Sequence, residues 1–228
     1  MDEAFWSWVI IGMGILEFLL ALWVFQKDPK SPIHWYFALV AFFLSAWTAI
    51  NAIEVLVFPA PSMFLWDRLL FATVYAGSFF LFLFTQVYPT PRMSRWLAVG
   101  STIILLGVLG LLLLSDSIIA APYALNTANP QSLYPLYIAG FLFNWFVSIW
   151  LLFRSRRSVI GAIRQQINLL LIAIIAGSLL GMFESFVLPY FGGKDSNISQ
   201  LWAPGVAFII FIFSVKVLRM AFKNSEQR

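Results

Sequence analysis

Glu17 and Lys216 are the ionisable residues set deepest inside long apolar stretches, one near the middle of the first stretch and the other in the far half of the last. A charge held in hydrocarbon costs roughly 2.5–3.5 kcal/mol on insertion scales, so each needs a partner or water. First and last helices adjoin when a bundle closes on itself, and the two side chains then meet at similar depth as an intramembrane ion pair. The competing expectation is that Lys216 snorkels to the headgroups beside Arg219, which lies one turn on and on the same face. A second constellation lies toward the opposite membrane face: Asn51 and Glu54 on one side of a helix, Asp67 and Arg68 at the start of the next, and Glu184 with Ser185 further along. Three carboxylates around one guanidinium, ringed by Trp47, Trp66, Tyr75 and Phe183, would make an outward-facing polar pocket for a ligand, with Glu54 and Glu184 in the leading roles. The plainer expectation is that Arg68 makes one structural salt bridge and the others face interfacial water. No nucleophile, metal-ligand cluster or phosphate loop accompanies these carboxylates, there is no cysteine, and the single His34 reads as a headgroup contact. A catalytic centre and a metal site are therefore not expected.

The elements that hold these residues are seven apolar stretches, at about 4–26, 34–58, 65–88, 96–115, 133–153, 166–190 and 200–222. Each is about 20 residues or longer, enough to cross roughly 30 Å of hydrocarbon as a helix. Apolar residues occupy every side of them, without the alternation a barrel wall needs, so the fold class is all-α: a seven-transmembrane-helix bundle forming one domain, 1–222, with a short tail, 223–228. Every basic residue except Arg68 and Lys194 follows the first, third or fifth stretch or lies in or after the seventh. By the positive-inside bias the N-terminus is external and the C-terminus cytoplasmic, in a multi-pass protein of a bacterial inner membrane. The N-terminal Met-Asp-Glu lacks the basic start of a cleaved signal, so the first stretch is expected to stay as an anchor.

Charged residues make up 11% of the chain and hydrophobic ones 61%, which leaves no room for a soluble domain of ordinary make-up. The net charge of +4 then speaks for orientation and anionic headgroups, with no nucleic-acid partner implied. Arg154, Arg156, Arg157, Arg164, Arg219 and Lys223 are the candidates for contact with headgroups or a cytoplasmic partner, and the loop from Arg154 to Gln165 is the largest cytoplasmic feature before the tail. Gly177 and Gly181 form a small-xxx-small step for close helix packing. The fourth stretch carries no charge, and its Gly100, Gly107 and Gly110 ride on a leucine-rich surface suited to lipid or a partner.

Four segments carry a resemblance: Trp35 to Leu56 with its central tryptophan and outer glutamate, Leu65 to Pro89, Arg164 to Gly192 opened by Arg-Gln-Gln, and Pro204 to Phe222 ending in Val-Leu-Arg-Met-Ala-Phe. Together they resemble the N-terminal seven-helix region of bacterial sensor histidine kinases. The resemblance implies a non-catalytic signal-input module whose last helix would normally lead into a kinase; with no phosphoacceptor segment in view, output is expected to pass through another membrane or cytoplasmic protein. The rival expectation is a structural or accessory subunit of a membrane complex, in contact with lipid or pigment. A retinal protein is disfavoured because Asp67 lies far outward of Lys216, and a small transporter because the two halves lack similarity and matching broken helices. No cofactor is predicted; a bound lipid or pigment is compatible with the aromatic surface.

Overall fold

The computed structural model describes residues 3–57, 63–89, 95–120 and 129–182. Within them lie six helices: α1 (Glu3–Lys27), α2 (Pro32–Val57), α3 (Met63–Val87), α4 (Arg95–Leu114), α5 (Tyr134–Ser158) and α6 (Gly161–Met182). Four contain spans long and apolar enough to cross a membrane, Ser7–Lys27, Pro32–Ile53, Leu65–Val87 and Tyr134–Ser158. Shorter apolar segments, Ala98–Leu114 and Gly161–Ala176, lie in α4 and α6.

Prolines open two of these helices: Pro32 begins α2, and Pro135 sits at the start of α5, where the absent N–H would have had no partner anyway. The α5 to α6 junction differs from the expected loop. Arginine favours helix and nothing in Arg154–Ser158 breaks one, so α5 continues past Phe153, and α6 begins before Gln166. Only Val159 and Ile160 remain between them. Gly161 then takes φ +63°, a left-handed conformation that L side chains rarely adopt and glycine enters freely. Arg154, Arg156, Arg157 and Arg164 consequently ride on helix ends.

The connection after α4 adds a small departure from all-helical structure. Ile119–Ala120 (β1) pairs antiparallel with Asn129–Pro130 (β2), Ile119 opposite Pro130 and Ala120 opposite Asn129. Flanking bonds from Gln131 N to Ile118 O and from Leu133 N to Ser117 O extend the closure, satisfying backbone groups where the chain turns back.

α3 is the hub, packed against α2, α4 and α5, while α1 lies on α2 and α6 on α5. Ring pairs Phe18–Phe42 and Phe25–Trp35 run in opposite sequence directions, as antiparallel neighbours require. Phe71–Tyr134 and Tyr75–Tyr137 advance together, so α3 and α5 run parallel. Two apolar clusters result. One joins α3, α4 and α5 through Ala72, Tyr75, Ala76, Phe79, Leu105, Leu112 and Tyr137, with Ile118, the residue before β1, buried in it. The other, at the end bearing the α5 arginines, draws Val24, Phe37, Phe84, Leu152 and Ile167 from five helices into one layer. α4 touches the bundle along one side only: Ile103, Ile104 and Leu106 are exposed, and a Cβ at Gly100, Gly107 or Gly110 would meet nothing. Such a surface belongs in lipid.

Candidate functional site

At the middle of the α1 span, ten residues from either end of Ser7–Lys27, Glu17 is buried at 3% exposure. Its position follows from the stripe Ile10, Glu17, Val24, which recurs every seventh residue and faces α2 and the bundle interior. Thr48 of α2, itself 1% exposed, donates from Oγ1 to Glu17 Oε2 at 3.0 Å. One turn away, Ser45 donates to the Gly14 carbonyl at 2.7 Å. Two hydroxyl donors on α2 thus grip two acceptors on α1. The expected partner Lys216 lies outside the described residues; among those described, the carboxyl has a hydroxyl beside it.

Arg68 occupies the first turns of α3 and is 8% exposed. Its Nη1 donates to the Leu113 carbonyl at 3.1 Å, and its Nη2 pairs with the carboxylate of Asp116, whose side chain is largely exposed. A cation at the last carbonyls of α4 satisfies an acceptor that has no helical donor and opposes the partial negative charge of that helix end. Of the two expectations for Arg68, the structural ion pair is present, and its acid is Asp116. Asn51 donates along its own helix to the Trp47 carbonyl at 2.8 Å. Asp67 lies beside Arg68 on α3 and Glu54 near the end of α2, whereas Glu184 and Ser185 lie outside the described residues.

The opposite end holds a further polar link. Tyr88, just past α3, donates to Gln166 Oε1 of α6 at 2.8 Å, and Gln166 is 4% exposed. On the lipid side of this end, Lys27 sits 5.4 Å from the Trp23 ring and Arg154 5.4 Å from the Trp150 ring. Arg154, Arg157 and Arg164 are exposed, and Arg156 is half-buried. Arg219 and Lys223 lie outside the described residues. Gly177 and Gly181 fall in the last turns of α6, on one side of the helix. Asn144, in the middle of α5, is buried at 7% exposure with no acceptor for Nδ2 among the described residues.

Residues 9–221 match the model of one protein family, the N-terminal 7TM region of histidine kinase. The chain belongs to that family. No curated protein matches it. This 7TM region is thus a multi-pass membrane protein of the sensory part of histidine kinases, a part distinct from the catalytic domain. Among the described residues, polar contacts tie α1 to α2, α3 to the end of α4, α5 to α3, and the end of α3 to α6.

Sequence reasoning missed Thr48, Asp116 and Tyr88 as partners. A signal for the first did exist. Ser45, Thr48 and Ala49 place small and hydroxyl-bearing residues on one side of α2, the pattern that lets membrane helices approach closely. For Asp116 nothing short of the fold would serve, since it lies 48 residues from Arg68.

Proposed function

We propose that this 7TM region is a signal-input module that converts a stimulus at the membrane into a change of helix packing and hands it to a partner protein. The family match over residues 9–221 is the observation that carries this reading. The bundle is taken as seven helices in one domain, 1–222, with a tail at 223–228, oriented with the N-terminus outside a bacterial inner membrane and the basic helix ends in the cytoplasm, in line with the distribution of lysine and arginine. Asn51, Glu54, Asp67, Arg68, Glu184 and Ser185 are the proposed input region. The Arg68 contact with the end of α4 supports it, because a ligand carboxylate competing for that guanidinium would loosen α3 from α4. Output would leave through α6 and the basic set Arg154, Arg156, Arg157, Arg164, Arg219 and Lys223; the Tyr88 to Gln166 bond supports coupling of α3 to α6. Glu17 with Lys216, and the Gly177 and Gly181 step, are proposed as interior packing elements.

Affinity capture from native membranes, followed by mass spectrometry, tests the reading. Recovery of a histidine kinase or another signalling enzyme, lost when the arginines of α5 are replaced by glutamine, is the expected result. A fixed complex containing only non-signalling subunits would replace this reading with that of an accessory subunit.

A further inference from the structure

One exposed side of α5 carries an aromatic stripe that the input and output roles do not use, and it ends at two of the arginines of the basic set. Phe143, Phe146, Trp150 and Phe153 are 61%, 56%, 56% and 42% exposed. Their spacing of three, four and three residues forms one continuous stripe, which Arg157 extends by a further four. From Phe143 to Phe153 the stripe rises about 15 Å, half the thickness of a hydrocarbon core and hence the depth of a single leaflet. At its end Trp150, Phe153, Arg154 and Arg157 line a recess. The Arg154 guanidinium lies over the Trp150 ring at 5.4 Å, which holds it at the mouth of that recess.

We infer that this recess and stripe bind one anionic phospholipid, its phosphate between Arg154 and Arg157 and an acyl chain along Phe153, Trp150, Phe146 and Phe143. Two guanidiniums side by side suit a phosphodiester, which each can meet with paired N–H donors. A zwitterionic headgroup brings its own cation into the same space and loses the electrostatic gain. A second copy of the chain is the poorer occupant. Membrane helices associate through small residues that bring backbones together, whereas this stripe is made of large rings, and a parallel pairing would set Arg157 against its own symmetry mate.

Native mass spectrometry of the purified chain in micelles holding equal amounts of phosphatidylglycerol and phosphatidylcholine with the same acyl chains reads the site. The wild type is expected to retain phosphatidylglycerol preferentially, and Arg154→Gln with Arg157→Gln to lower that preference about tenfold. Arg157→Gln alone, at an exposed position, is expected to lower it about threefold. Arg154→Lys with Arg157→Lys keeps the charge and retains most of the preference. Arg164→Gln removes an exposed arginine outside the recess and leaves the preference intact. The inference is overturned by equal retention of both lipids in the wild type, by an equal loss from Arg164→Gln, which would mean bulk charge alone, or by efficient disulfide cross-linking of a Phe146→Cys variant with lipid excluded, which would mean a second copy.

Discussion

Replacing Thr48 by valine keeps the shape of the side chain while removing the hydroxyl that donates to Glu17 Oε2 at 3.0 Å. Both residues are almost fully buried, at 1% and 3% exposure, so water cannot substitute without reopening the α1–α2 contact. Interhelical hydrogen bonds measured in membranes average about 0.6 kcal/mol with a maximum near 1.7, and a buried polar group left without its partner costs about 1–3 kcal/mol. Thr48→Val is therefore expected to cost about 1–2 kcal/mol, most of it from leaving the carboxyl without its donor. Glu17→Gln, whose amide oxygen can still accept the bond, should cost less. In the double replacement Glu17→Leu with Thr48→Val no polar group is left behind, and stability should return to within about 1 kcal/mol of the wild type. Reversible unfolding in mixed micelles of detergent and dodecyl sulfate, analysed as a double-mutant cycle, measures these differences. A coupling energy indistinguishable from zero, with each single change additive, would refute the claim that the bond ties α1 to α2.

Arg68→Met should destabilise the bundle by about 2–3 kcal/mol and speed amide exchange in the last turn of α4, because the Leu113 carbonyl loses its donor; Asp116→Asn, at an exposed acid, should cost less than about 1 kcal/mol. Equal losses would make the ion pair rather than the carbonyl bond the anchor. A Cβ at Gly140 would stand 2.9 Å from Tyr75 Oη, so Gly140→Ala is expected to lower the detergent melting temperature, at a cost of about 1–3 kcal/mol, and Tyr75→Phe in the same chain to restore most of it. Failure of that rescue would show that the contact is not the cause. Gly161→Ala should cost about 1 kcal/mol in the same melting assay, through the left-handed backbone at φ +63°.

Much of the bundle was legible from residues alone because lipid imposes a local rule: a helix that must cross hydrocarbon announces itself by its own length and composition, whatever it packs against. The boundaries of α1 to α3 fall within a few residues of the apolar stretches. The uncharged, leucine-rich stretch 96–115 likewise pointed to an exposed face on α4. The α5 to α6 junction misled because arginines were read as loop, when polarity at a membrane surface is compatible with helix and the break is confined to Val159 and Ile160, before the left-handed Gly161 that opens α6.

What the amino-acid order determined by itself is the solvent, the class and the family: apolar runs of spanning length, basic residues gathered after alternate runs, and a family match over 9–221. The tertiary structure alone decided the partners. Glu17 sits by Thr48, Arg68 by Asp116 and the Leu113 carbonyl, and Tyr88 by Gln166, across gaps of 31, 48, 45 and 78 residues. Hydropathy is a sum over neighbours in the chain and survives any arrangement of the helices. A hydrogen bond requires two atoms within about 3 Å in the right direction, and that depends on which helix lies beside which, at what depth and with which side turned inward.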